Sequence, residues 1–287
     1  LTIRQLTAAD LEACAEVLEI ADDDLTVRRG LTPGPRNREA LLKLFAHIER
    51  NFPDRGWVAE RDGRIQAFGS AVRYDDLTFL SFLFVLPDAQ AAGLGRELLE
   101  RAMHDSDYRG VCIASYQPIS TALYAKYGMV PRVPIYMLLG KPYGDLPELP
   151  TNVELRPVGA DEVAELDREL CGFARTNDHE FWGGLGRKRF GLYEDESLDG
   201  YGYMQESGRL GPFIVRRREY LLPFVGALVA MSPDTEAWMV NVPGPASEVY
   251  VGLLHAGMRL EGPPAIYCAT DLRIDHSRYL PGGYALP

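Results

Sequence analysis

The chain has 287 residues, 46% of them apolar and 25% charged. That is enough to bury a full core and, at roughly 100 to 200 residues per domain, to build two modest domains. Its 30 basic against 41 acidic residues give a formal charge of −11, which excludes nucleic acid as the main partner, because a polyanion is held by many phosphate-neutralising cations.

The longest near-apolar stretch, Tyr220 to Met231, contains Pro223 and is too short to span a bilayer, so no membrane partner is expected. The first residues carry no signal-peptide pattern, and a soluble, cytoplasmic protein follows, a monomer or a homodimer. Charge is uneven, with 17 basic and 19 acidic residues through Lys141 but 13 and 22 beyond it. An anionic ligand meets less repulsion in the first half. Cys14, Cys112, Cys171 and Cys268 lack the spacing of a metal or redox pair, and no two of the 5 histidines stand three or four residues apart. Buried thiols and no metal site are expected.

In chain order, residues 2–6 read as a strand, and Thr7 with Asp10 as a helix cap before Leu11, Cys14, Val17 and Leu18. LTPGPR at 31–36 breaks the chain, and Leu41, Leu42, Phe45 and Ile48 restore helical spacing. Three strand-like runs follow, separated by the turns Asp62-Gly63 and Asp75-Asp76. The third, Thr78 to Val85, is nearly all apolar and suits a central strand covered on both faces. A helix near Leu94–His104, a strand at 111–116, a helix near Ser120–Tyr127 and a strand at 133–139 complete the order β, α, α, β, β, β, α, β, α, β.

Residues 141–152 are a linker rich in Pro and Gly, and the chain then begins again. LRPVGADEV at 155–163 parallels IRQLTAADL at 3–11, SGRLGPF at 207–213 parallels DGRIQAF at 62–68, and HAGM at 255–258 parallels KYGM at 126–129. Three matches in the same order, with falling offsets, predict two copies of one fold, at 1–140 and 153–287. The apolar run at 220–230 is taken as the second copy's central strand, and Arg216-Arg217-Arg218 as a solvated strand edge. His179, Glu180 and Trp182 are placed in a helical region, with surface or core the expected role of the histidine.

The chemistry concentrates in FLFVLPDAQAAGLGRELLERAM, residues 82–103. Gly93 and Gly95 let backbone approach a ligand, and the helix that opens there presents unpaired N–H groups and the positive end of its dipole. Such a turn holds a pyrophosphate. A dinucleotide-binding loop would need Gly-x-Gly-x-x-Gly and an acid on the next strand, and a nucleoside-triphosphate loop a Lys-Ser/Thr pair; neither is present.

Val85-x-Pro87-x-x-Gln90-x-x-Gly93-Leu94-Gly95, followed by Leu98-Leu99, resembles the acetyl-CoA pyrophosphate motif of the GNAT superfamily of N-acetyltransferases. Ala122 to Met129 resembles that family's Leu-Tyr-x-x-x-Gly-Phe element, with Met129 in place of Phe. The resemblance covers residues 1 to about 140 and implies an α/β (α+β) fold, a mixed, mostly antiparallel sheet flanked by helices, twice over. The first copy would be an acetyltransferase domain and the second a degenerate GNAT-like one, since MSPDTEAW after the second copy's apolar run has no glycine for close backbone approach.

The implied activity is transfer of an acyl group from acetyl-CoA, without a metal, to an amine of a small molecule or protein by direct attack on the thioester. The resemblance assigns the pantetheine arm to the main chain of Phe84, Val85 and Leu86, one of whose N–H groups would stabilise the oxyanion. It assigns the pyrophosphate to Gln90, Ala91, Ala92, Gly93, Leu94, Gly95 and Arg96. Tyr124 takes the place of the general acid that protonates the departing thiolate, and Ser120 that of a polar contact to pantetheine. Asp75, with Asp76, is a candidate base, and Asp22, Asp23 and Asp24, read as following the first helix, border the region where a cationic amine would bind. The alternative is a non-catalytic acyl-CoA-binding sensor or interaction protein.

Overall fold

In the computed structural model, residues 1–90, 93–104, 109–115 and 117–287 are described. Two compact units emerge, Leu1–Val111 and Cys112–Pro287.

The first unit opens with β1 (Thr2–Gln5), followed by α1 (Leu11–Arg28) and α2 (Arg38–Asn51). The turn into α1 is set by Asp10, whose carboxylate accepts from the Thr7 backbone N–H and hydroxyl, each at 2.9 Å. Asn37 caps α2 by accepting from Ala40 N–H at 2.9 Å. Next come β2 (Gly56–Arg61), β3 (Arg64–Tyr74) and β4 (Leu77–Val85), paired antiparallel in the order β1-β2-β3-β4. After α3 (Leu94–Ala102), β5 (Arg109–Ser115) begins parallel to β4.

Both faces of this sheet are covered. Phe45 of α2 meets Phe68 of β3 and Phe82 of β4 edge-on, with ring centroids 5.4 and 4.8 Å apart. On the other face α3 buries Leu94, Leu98, Leu99 and Ala102, a stripe at helical spacing, while Arg96–Glu100 and Glu97–Arg101 pair on its outer side.

The second unit contains the rest of β5, α4 (Pro118–Lys126) and β6 (Val130–Gly140), then β7 (Val153–Pro157), α5 (Ala160–Leu170), α6 (Thr176–Gly184), β8 (Lys188–Glu194), β9 (Ser197–Gln205) and β10 (Arg209–Val215). It ends with α7 (Leu221–Ala230), β11 (Trp238–Pro243), α8 (Ser247–His255) and the short strands β12 (Arg259–Leu260), β13 (Ala265–Ala269) and β14 (Tyr279–Leu280). Its sheet runs β13-β6-β11-β10-β9-β8-β7. Trp238, Phe213, Phe224 and Leu253 fill one core cluster beneath α7 and α8.

From β7 onward the element order repeats that of β1 to β6, and the fold is a mixed, mostly antiparallel sheet flanked by helices. Corresponding positions share local devices. Glu162 accepts from Gly159 N–H as Asp10 does from Thr7, and Gly128 and Gly257 both end a helix at positive φ, +82° and +96°. The compact units do not divide where the repeat does. β6, the last strand of the first repeat, lies between β11 and β13 of the second and is therefore held by the second unit.

Two readings of the second repeat are corrected. The apolar run at 220–230 is the helix α7, not a strand, and the counterpart of β4 is β10. SGRLGPF accordingly turns from β9 into β10, one hairpin later than DGRIQAF, which turns from β2 into β3. The segment matching the glycine loop is therefore Arg216–Glu219 rather than MSPDTEAW. It too lacks glycine.

Candidate active site

β4 is built to leave one edge open. Leu77, Thr78 and Phe79 pair with Arg109, Gly110 and Val111 of β5, whereas from Leu80 to Val85 the ladder partners among the described residues lie on β3 alone. The register with β3 slips between Ser70 and Ala71, which leaves Ser81 as a bulge. A bulge bends its strand, so β4 changes direction just past its last bond to β5. Ser81 is buried, and its Oγ has no hydrogen-bond partner among the described residues. Sequence reasoning passed over it, because a bulge leaves no signature in an apolar run.

Strand parity decides which main-chain groups face that edge. Leu86 donates its N–H to Gln66 O at 2.9 Å, on the β3 side. Alternate residues point the same way, so Phe84 also faces β3, while Leu83 and Val85 face away. Of Phe84, Val85 and Leu86, Val85 thus has its main chain directed to the open edge. Its carbonyl accepts from Gln90 Nε2 at 3.3 Å, so Gln90 ties the following loop back to the strand.

That loop ends at Gly93, which has φ +81° and begins α3. The conformation favours glycine, and a β-carbon there would meet nothing within 4 Å. At Gly95 the nearest contact would be the Val85 side chain at 3.6 Å, an ordinary packing distance. This chain's own packing therefore does not demand a glycine at 95. The first intrahelical bond is Glu97 N–H to Gly93 O at 3.1 Å, so the amides of Gly93, Leu94, Gly95 and Arg96 precede the helical ladder. Arg96 extends its guanidinium beside Glu100 at the surface. Ala91 and Ala92 lie outside the described residues.

In the second unit, Tyr124 of α4 is 5% exposed. Burial, with the thiols of Cys112 and Cys268 nearby, pushes its hydroxyl well above the ordinary phenol range, and a hydrogen bond with Ser120 draws it partly back. Tyr124 is thus a protonated hydroxyl throughout the neutral range. Ser120 Oγ also donates to Gln117 O at 3.2 Å, as a residue in the first turn of α4.

The candidate substrate carboxylates are placed otherwise than expected. Asp22, Asp23 and Asp24 lie within α1 rather than after it, with Asp22 and Asp23 both on Arg36 at 2.6 Å and Asp24 on Arg28 at 2.9 Å. Their charge is largely matched by arginines. Asp75 occupies the β3–β4 turn at φ +46°, at the end of β4 opposite Val85. The structure does not bring it to the glycine loop.

A buried polar network in the second repeat had no counterpart in the sequence reading. Arg175 donates to Asp167 from Nε and Nη2 at 2.7 and 3.1 Å, and to the Tyr201 hydroxyl at 2.7 Å. His179 joins Asp167 at 2.9 Å and Tyr203 at 2.7 Å, and is fully buried, in the core. Burial would raise the Asp167 carboxyl, but Arg175 and His179 outweigh it and hold the group low. Arg217, expected as a solvated edge, is ion-paired to Glu194 and Asp199.

β10 repeats β4 only in part. It starts parallel to β11 at Arg209–Met239, and then Phe213 and Ile214 pair with Leu280 and Tyr279 of β14. The same two residues pair with Gly202 and Tyr201 of β9 on their other side, so β14 lies along the edge that β4 leaves open. The chain's own C-terminal segment closes the second copy's gap.

Among the described residues no group of three or more His, Cys, Asp or Glu is placed to hold a metal ion, and no helix is long and apolar enough to cross a membrane.

A central strand with a bulge, a one-sided edge and a glycine loop opening a helix are the features that the resemblance to the GNAT family leads one to expect. Residues 15–129 match the sequence profile of the Acetyltransferase (GNAT) family, and the chain as a whole has the fold of two GNAT-like domains. The fold is shared with a candidate acetyltransferase from Pyrococcus horikoshii, at TM-score 0.77 and 18% identity over 100% of this chain and 95% of that one. A tandem GNAT protein from the clavulanic acid biosynthesis pathway aligns at TM-score 0.60 and 17% identity over 93% of this chain and 97% of that one. A GCN5-related N-acetyltransferase from Sphaerobacter thermophilus aligns at TM-score 0.60 and 18% identity over 96% and 98%. No curated protein sequence matches the chain.

Proposed function

We propose that the protein is an acetyl-CoA-dependent N-acetyltransferase with one working site, in its first repeat, acting on an amine of a small molecule or protein. The observation that carries the proposal is the pairing of β4's open edge with the Gly93–Gly95 turn. Glycine at 95 answers no demand of this chain's own packing, and a diphosphate brought against the amides of Gly93 to Arg96 accounts for it.

Acetyl-CoA supplies the activated acyl group as a thioester. Val85, whose N–H and C=O face away from β3, is the main-chain contact for the pantetheine arm and the donor nearest to developing negative charge. Leu86 is left out, because its N–H is already given to Gln66. Gln90 holds the loop to β4, and Gly93, Leu94, Gly95 and Arg96 bind the diphosphate, with Ala91 and Ala92 between them.

Tyr124 is the general acid: a phenol carries its proton at neutral pH, and the hydroxyl gives it to the departing thiolate. Ser120 orients that hydroxyl. Asp22, Asp23 and Asp24 are given a packing role in α1, and the base remains open to a water-mediated carboxylate.

The test is turnover on a panel of amines alongside CoA binding. Tyr124→Phe lowers kcat and leaves CoA affinity unchanged on this reading. Tight acyl-CoA binding with no amine acetylated by the unaltered protein would favour a sensor instead.

A further inference from the structure

The second repeat, the more acidic part of the chain, contains a pair of arginines that no carboxylate among the described residues meets. Arg187 precedes β8, and Arg209 begins β10. Arg187 Nη1 donates to Gly211 O at 3.1 Å, and Arg209 Nε donates to Gly282 O at 3.1 Å. Both heads lie along one glycine segment: a β-carbon at Gly282 would sit 3.2 Å from Arg187 Nη1, and one at the adjacent Gly283 3.4 Å from Arg209 Nη2.

The neighbouring basic residues have anionic or hydroxyl partners. Lys188 is paired with Glu206, Arg216 with Glu169, and Arg189 donates to the Tyr203 hydroxyl at 3.0 Å. Arg187 and Arg209 form no salt bridge among the described residues, and Arg187 Nε is buried without a partner. Burial and the adjacent Arg209 pull the Arg187 guanidinium down to about 9, and burial lowers Arg209 too. Two like charges held together, half out of water, lack their counter-charge.

We propose that Arg187 and Arg209 form a binding site for a phosphate-class anion in the second repeat, separate from the glycine loop of the first. Planar guanidinium forks suit tetrahedral oxyanions, because parallel N–H groups can meet two oxygens at once. After the bonds to Gly211 and Gly282, Arg187 keeps Nη2 and Arg209 keeps both Nη atoms for such a ligand. The ligand is either free inorganic phosphate or a phosphate monoester on a small molecule.

The experiment is calorimetric titration of the full chain with inorganic phosphate and, separately, with glycerol phosphate, at constant ionic strength against chloride. Saturable binding is expected, weakened about tenfold or more in both Arg187→Gln and Arg209→Gln, the loss of roughly one charge-assisted pair of bonds. Lys188→Gln, which removes a cation already paired with Glu206, leaves it unchanged. Tighter binding of the monoester assigns the site to a phosphorylated metabolite, and equal binding to phosphate itself. CoA affinity is unaffected in both arginine variants, which separates this site from the one in the first repeat.

Arg187→Lys, which retains charge but not the fork, provides the check should a glutamine variant fail to fold, and it weakens binding as well. No saturable phosphate signal in the unaltered protein, or equal affinity in the arginine variants, overturns the proposal and leaves the pair as a clamp on Gly211 and Gly282.

Discussion

β4 and β10 hold the same place in the two repeats, and their surroundings differ in one respect. Past Phe79, β4 has ladder partners among the described residues only on its β3 side, and Gly93 and Gly95 open α3. β10 is flanked on both sides, because Tyr279 and Leu280 return to pair with Ile214 and Phe213, and Val215 N–H bonds Arg278 O at 3.1 Å. Its following loop is Arg216–Glu219, in which Arg217 is committed to Glu194 and Asp199. A sheet edge can be satisfied by a ligand or by the chain itself. One repeat leaves the edge open and the other covers it with its own chain, so the same architecture is kept with two different surroundings of the central strand.

The sharpest way to break this contrast is Gly93→Asp. It places a side chain where φ is +81° and a negative charge where the diphosphate would lie. The rise in melting temperature produced by acetyl-CoA is expected to vanish, and a shift of unchanged size would mean that the ligand binds elsewhere.

Tyr124→Phe comes next. Loss of a positioned proton donor lowers kcat by about 10²- to 10⁴-fold, while CoA affinity measured by calorimetry stays level. A parallel loss of affinity would identify Tyr124 as packing rather than as the acid.

The network of the second repeat should matter for stability. Asp167→Asn leaves the fully buried Arg175 without its charge partner and is expected to cost about 3 to 5 kcal/mol in denaturant unfolding. A small loss there would show that the filled half is held together by its apolar core alone.

The smallest effect concerns pH. Burial holds His276 near 4, against an ordinary value of 6.5, so the folded state resists a proton that the unfolded state takes up. Stability from this group is complete above about pH 6.5 and falls as the pH drops towards 4. His276→Asn, which can still bond Ile274 O, is expected to flatten the melting temperature between those limits; an unchanged slope would assign it to other groups.

The first repeat was legible because its signals are local. The Thr7–Asp10 cap, the Asp62-Gly63 turn and the Gly93-Leu94-Gly95 loop each state their conformation within a few residues. The second was read less well. Leu221 to Ala230 is apolar on every side and packs against β9, β10 and α8, and composition alone does not separate such a helix from a central strand; its length of 10 residues favours the helix. Asp167, Arg175, His179 and Tyr201 each read as ordinary polar residues, since the fold rather than any spacing brings them into contact. Likewise Asp22 and Asp23 look available to a cationic amine until Arg36, 13 or more positions later, is seen to bind both.

The most direct test of the contrast is a crystal structure of the full chain with acetyl-CoA. The account predicts one molecule per chain, its diphosphate on the amides of Gly93 to Arg96 and its pantetheine along β4 at Val85, with β14 still paired to β10. A thioester carrier lying along β10 with Tyr279 and Leu280 displaced, or no density near Gly93, would contradict it.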